Sequence, residues 1–149
     1  MTPEEVAALP GSEKELSIPC GGKSVRVFEI RPDAELKSPC TLIINYHGGG
    51  YIKGRSDRDK RYCSFLTQEL GCVVWDVDYC LAPEEPFPAA VTECHAVAAY
   101  AFTHAEELGF DPQRIAPAGH SAGGNLIYGA MLLDAEVKAL HCKFFTQHL

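Results

Sequence analysis

Residues 114–126 read "RIAPAGHSAGGNL", and the question they pose is whether Ser121 is a nucleophile or a small residue in a glycine-rich turn. Gly119, Ser121 and Gly123 form a G-x-S-x-G pattern between a strand-like run and a stretch, Ala122 to Leu133, that reads as helix. In that setting a sharp strand-to-helix turn lifts the serine oxygen into the open, and the flanking residues must be small because two backbone segments meet there. Glycine and serine are also common in ordinary turns, so the pattern alone is weak. A serine hydroxyl becomes nucleophilic only with a base, an acid to orient that base, and donors for the developing oxyanion.

A second feature lies upstream. "CTLIINYH", residues 40–47, is a short continuous apolar run of the kind buried on both faces of a parallel sheet. It is followed directly by Gly48, Gly49, Gly50 and Tyr51. Consecutive glycines let backbone N–H groups approach an anion with no Cβ in the way. His47 reads as a structural residue holding that loop. Gly49, Gly54, Arg55 and Ser56 also match a nucleotide-binding P-loop, except that arginine stands where the pattern has lysine. A planar guanidinium replaces a cradled point charge poorly, and a P-loop leaves "GHSAGG" without a role.

The remaining elements alternate. Thr2, Pro3 and Glu5 form a capping-box pattern for a short N-terminal helix. "EKELSIPC" and "KSVRVFEIRP" flank Gly21–Gly22 as a hairpin. From Asp57 to Leu70, residues Tyr62, Phe65, Leu66 and Leu70 recur at helical spacing before Gly71. "CVVWDVDY", residues 72–79, is another buried strand. Residues 89–108 carry Val91, Cys94, Ala98, Phe102, Ala105 and Leu108 on one helical face, and "FDPQR" reads as a connection into "IAPAG". Strand and helix in alternation predict a mostly parallel sheet flanked by helices. Pro117 conflicts with a regular central strand, because it removes a ladder donor.

The 149 residues suffice for a single domain, and a net charge of -7 excludes a basic nucleic-acid surface. The mixed-charge run "KGRSDRDKR", residues 53–61, reads as a solvated face. No apolar stretch reaches the length of a membrane span or resembles a signal peptide. Seven cysteines without a C-x-x-C pair imply neither a zinc site nor a disulfide framework, and buried reduced thiols suit the cytoplasm. No metal and no cofactor is called for.

"HGGG" at 47–50, "DYCLAPEEPFPAA" at 78–90 and "RIAPAGHSAGGNL" at 114–126 resemble, in the same order, three signatures of the hormone-sensitive-lipase group of α/β-hydrolases. The resemblance runs from about Lys23 to Leu133. It implies an α/β-hydrolase fold and a serine carboxylesterase that hydrolyses short-chain carboxylic esters through an acyl-enzyme, with a small acyl ester as its partner. Carried over by position, Ser121 is the nucleophile and the N–H groups of Gly49, Gly50 and Ala122 form the oxyanion hole. His47, Gly48, Asp78, Gly119 and Gly123 support the site.

This sequence departs from the group where Cys80 replaces its usual arginine, and at Pro117. In this fold the acid and histidine follow the serine on loops after later strands. Asp134, Glu136, His141 and His148 do lie downstream, within the expected nucleophile helix or the tail after it. The expectation is therefore one incomplete hydrolase domain over residues 1–149, truncated after the nucleophile helix, with self-association possible through an exposed sheet edge. The alternative is a catalytically inactive fragment acting at most as a binding or assembly partner.

Overall fold

The computed structural model describes residue 2, residues 4–5 and residues 8–133. Thr2 and Glu5 close the expected capping box, each backbone N–H donating to the other's side-chain oxygen at 2.7 and 3.2 Å. β1 (Ser12–Cys20) and β2 (Lys23–Arg31) pair antiparallel through Gly21 and Gly22, whose φ values of 51° and 82° are those a two-residue primed turn requires. β3 (Cys40–Tyr46) leads into the glycine loop.

α1 (Asp57–Leu70) begins where the Asp59 carboxylate accepts from the Ser56 N–H at 2.9 Å, and it ends at left-handed Gly71. β4 (Val73–Asp78) is followed by α2 (Ala89–Thr103), then β5 (Phe110–Gly119) and α3 (Ala122–Leu133). The sheet order is β1-β2-β4-β3-β5, with β4, β3 and β5 mutually parallel and the hairpin antiparallel at one side.

Val27, Leu42, Ile44, Val73, Trp75 and Val77 put one face of the sheet against α2 and α3. Ile30 and Val74 put the other against Cys63 of α1. Each strand alternates between these two faces, so the apolar runs are continuous because both faces are covered. The side of β3 on which each later strand lands then matters. The chain leaves β3 for β4 on one side and returns to β5 on the other, with α1 and α2 on opposite faces. That makes the carboxyl ends of β3 and β5 the topological switch point, where ligands bind in open α/β sheets.

Several expectations change. The helix over 57–70 forms, but Tyr62, Phe65 and Leu70 are exposed, and Asp59, Cys63, Ser64 and Thr67 face inward. The hydroxyls make this possible: Ser64 donates to the Pro10 carbonyl at 2.7 Å and Thr67 to the Ile30 carbonyl at 3.3 Å. The run 53–61 is not a uniformly solvated face, since the Arg55 side chain is only 5% exposed and Asp59 is buried. α2 stops at Thr103, five residues early, and turns fill 104–108. The "FDPQR" connection becomes a bulge within β5: Cys40 faces Phe110 while Leu42 faces Ile115. Pro117 is accommodated because β5, among the described residues, pairs with β3 alone and is an edge strand.

Candidate active site

Tyr46 at the end of β3 and Gly119 at the end of β5 are register partners, so the loops that follow them start side by side. After β5 the chain turns within two residues into α3. Ser121 has φ 53°, the left-handed region that a residue with a Cβ seldom occupies, and it is exposed. Gly119 and Gly123 make the turn sterically feasible. A Cβ on Gly123 would lie 1.8 Å from the Tyr46 carbonyl oxygen, and one on Gly119 would lie 2.8 Å from the Gly123 carbonyl carbon. Side chains at these two positions would push α3 away from the ends of β3 and β5. Ala122, buried, is the first residue of α3, where N–H groups have no intrahelical acceptor and the helix dipole favours negative charge.

The loop after β3 packs against this turn. A Cβ on Gly48 would meet the His120 ring at 2.7 Å. Gly49 takes φ 134°, and a Cβ there would meet the Lys53 carbonyl oxygen at 2.5 Å; Gly50 takes φ 61° with open space around it. His47 is fully buried and stacks on Tyr79 with ring centroids 4.2 Å apart. Its Nδ1 lies 2.8 Å from the Gly48 carbonyl, and the Tyr79 hydroxyl donates to the His47 carbonyl at 2.6 Å. Burial pushes the Tyr79 hydroxyl well up, which keeps it a neutral donor. His47 is thus buried at the base of the glycine loop.

Asp78 lies apart from this cluster. At the end of β4 its carboxylate accepts from Arg26 across the sheet, at 2.9 Å from Nε and 2.5 Å from the terminal nitrogen. The structure therefore brings Ser121, Gly119, Ala122, Gly123, His47, Gly48, Gly49 and Gly50 together and ties Asp78 to β2. Asp134, Glu136, His141 and His148 lie outside the described residues.

Two residues that sequence reasoning passed over bind the site together. Tyr51, also left-handed at φ 66°, donates through its hydroxyl to Asn125 Oδ1 at 2.9 Å, and its carbonyl accepts from the Ala82 N–H at 2.8 Å. The glycine loop is thereby fastened to α3 and to the 80–88 segment. Tyr51 follows directly on HGGG and Asn125 lies within residues 114–126, which was the available signal.

Arg55, the residue that weakened the P-loop match, holds the base of the loop. Its Nε pairs with Asp76, its terminal nitrogen lies 2.5 Å from Glu13, and its guanidinium lies 3.9 Å from the Phe28 ring centroid. Asn45 donates to the other Asp76 oxygen at 2.7 Å. A guanidinium engaged by two carboxylates is not cradling a phosphate.

Among the described residues, no helix is long and apolar enough to cross a membrane and no cluster of metal-binding side chains occurs. A family profile described as alpha/beta hydrolase fold matches residues 43–146. The chain is 42% identical over 124 residues to the hormone-sensitive lipase of Homo sapiens, covering 82% of this chain and 11% of that protein. It is 38% identical over 125 residues to the carboxylic ester hydrolase LipN of Mycobacterium tuberculosis, covering 80% and 33%. Among solved structures, a bacterial heroin esterase superposes with a TM-score of 0.79 at 40% identity, covering 87% of this chain and 42% of the other. The chain thus spans less than half the length of each of these relatives.

Proposed function

The chain belongs to the alpha/beta hydrolase fold family, as a relative of carboxylic ester hydrolases, and from that premise we propose that it carries the nucleophile half of a serine carboxylesterase site for short-chain esters. The observation that carries the proposal is Ser121 at φ 53°, exposed, on a turn whose flanking Gly119 and Gly123 leave no room for a Cβ. The Ser121 hydroxyl attacks the ester carbonyl and the alcohol departs, leaving an acyl-enzyme that water then hydrolyses. The N–H groups of Gly49, Gly50 and Ala122 stabilise the oxyanion. Removal of one such donor from a working site typically costs 10² to 10³ in rate, on the order of 3 kcal/mol. His47 and Gly48 hold the loop in place, while Asp78, paired with Arg26, lies apart from it.

The base that accepts the Ser121 proton follows the serine in chain order in this family's logic, as does its acid partner. In this reading both belong to later strands of the kind the longer relatives carry. The free thiols of Cys40, Cys63, Cys72 and Cys94, buried in the core, suit a reducing compartment such as the cytoplasm.

The test is fluorophosphonate labelling with Ser121→Ala as control. It is run on the 149-residue chain and on the chain extended by the residues that follow the matching span in the heroin esterase. Labelling confined to Ser121 in either form supports the proposal. No labelling in both would overturn it in favour of a catalytically inactive binding or assembly partner.

A further inference from the structure

On the face of the sheet that carries α1, opposite the face that carries α3, a cavity of about 310 Å³ opens between β2, α1 and the segment that leads into β1. Leu9, Pro10, Ser12, Glu13, Ile30 and Lys60 form most of its wall. Three hydrogen bonds pin the leading segment in place. The Ser64 hydroxyl of α1 donates to the Pro10 carbonyl at 2.7 Å, the Gly11 N–H donates to Asp33 at 3.1 Å, and Gln68 of α1 donates to the same carboxylate at 3.1 Å. At Gly11 the chain passes so close to β2 that a Cβ would meet the Arg31 carbonyl oxygen at 2.4 Å. A space enclosed by a fastened segment is preformed, so a ligand that enters it does not first have to order the wall.

The wall is apolar at Leu9, Pro10 and buried Ile30, and it carries two charged side chains, Glu13 and Lys60. The Glu13 carboxylate lies 2.5 Å from a terminal nitrogen of Arg55, so its charge is already met. Asp76, which shares that guanidinium, is fully buried and also held by Asn45. Lys60 is half-buried on the first turn of α1, and among the described residues its ammonium has no ion pair. A ligand that fits this wall therefore brings one negative charge to Lys60 and an apolar body to the rest. A second negative charge on the ligand would be repelled by Glu13. The volume is about twice the roughly 150 Å³ that accommodates a benzene ring in an engineered apolar cavity.

We infer that this cavity is a binding site for a small monocarboxylate, with its charged end on Lys60 and an alkyl or aryl body of about six carbons against Leu9, Pro10 and Ile30. The inference goes beyond the esterase reading and does not depend on it.

The experiment titrates the dilute, methyl-labelled 149-residue chain with hexanoate, butyrate, 1-hexanol and hexylamine, and follows the methyl NMR signals of Leu9, Ile30 and Leu126. Hexanoate shifts Leu9 and Ile30 saturably and leaves Leu126, on the other face of the sheet, unmoved. It binds about fivefold more tightly than 1-hexanol, the upper end for a partly exposed ion pair, and hexylamine binds no better than the alcohol. Butyrate is weaker by up to about fourfold for each methylene removed. Lys60→Gln removes the preference for hexanoate over 1-hexanol while affinity for the alcohol changes little, and Lys60→Glu removes or reverses it in favour of hexylamine. Both substitutions are at a half-buried position on α1, and an otherwise unchanged methyl spectrum shows that the fold is retained. No saturable shift at Leu9 and Ile30, shifts centred on Leu126, equal affinities for the three six-carbon probes, or a preference for hexanoate that survives either Lys60 substitution would overturn the inference.

Discussion

Gly123→Ala is the sharpest perturbation of the turn, and Gly124→Ala is its internal control. The Cβ added at 123 would lie 1.8 Å from the Tyr46 oxygen, 2.6 Å from the Tyr46 carbon and 2.7 Å from the His47 oxygen. Carbon–oxygen contact begins near 3.3 Å, so α3 or the end of β3 must retreat by about 1.5 Å. The obstacles are backbone atoms of a paired central strand, which no side-chain rotation can relieve. Overpacking of this kind costs about 1–3 kcal/mol. A misplacement of 1 Å at a reacting centre costs on the order of 10²-fold in rate.

At Gly124 the nearest atom to an added Cβ is the Gly119 oxygen at 3.4 Å, ordinary contact. Alanine there stabilises the helix by about 0.5–1 kcal/mol. Urea unfolding of both variants, with the fluorophosphonate labelling rate of Ser121 in whichever form of the chain reacts, reads both effects. Gly123→Ala unfolds at lower urea and labels at least about 10²-fold more slowly; Gly124→Ala does neither. Equal stability and equal labelling in the two variants would refute the close-approach argument and the turn geometry built on it.

Three further outcomes are expected. Arg55→Met leaves the fully buried Asp76 carboxylate without its guanidinium, which costs about 3–5 kcal/mol in urea unfolding, and Asp76→Asn in the same chain recovers part of it; a loss below about 1 kcal/mol would contradict a buried pair. Burial raises the Cys72 thiol from 9.0 to about 11, so its contribution to stability is complete below pH 9.0 and disappears as the pH rises through the folded value. The unfolding free energy then falls across that window together with the contributions of Cys63 and Cys94, whose thiols burial also raises, and Cys72→Ala reduces the slope by up to about 1.4 kcal/mol per pH unit, whereas an unchanged slope would remove this cause. β5 has a neighbour on one side among the described residues, and Tyr128 and Leu132 are 65% and 70% exposed nearby, so the 149-residue chain associates as concentration rises; sedimentation velocity showing a lone 16.2 kDa species throughout would exclude this.

The sequence by itself determined the local pieces, because each is fixed by forces acting within a few residues. Gly21–Gly22 supplies two positive φ angles and so makes a hairpin. Ser56, Asp59 and Gly71 mark both ends of α1, and the continuous apolar runs of β3 and β4 require cover on two faces. Gly119 and Gly123 around Ser121 announce a turn with no space for side chains. Which elements meet was decided by tertiary structure, where contacts join residues far apart in the chain. Helical spacing in α1 pointed to Tyr62, Phe65 and Leu70 as the inner stripe, yet Ser64 and Thr67 went inside because distant carbonyls of Pro10 and Ile30 were there to accept their hydroxyls. Arg55 looked like part of a solvated run until Asp76, Glu13 and Phe28 surrounded it. The site itself arises from strand order. β5 returns to the side of β3 opposite β4, and that crossing sets the glycine loop beside the serine turn although about seventy residues separate them.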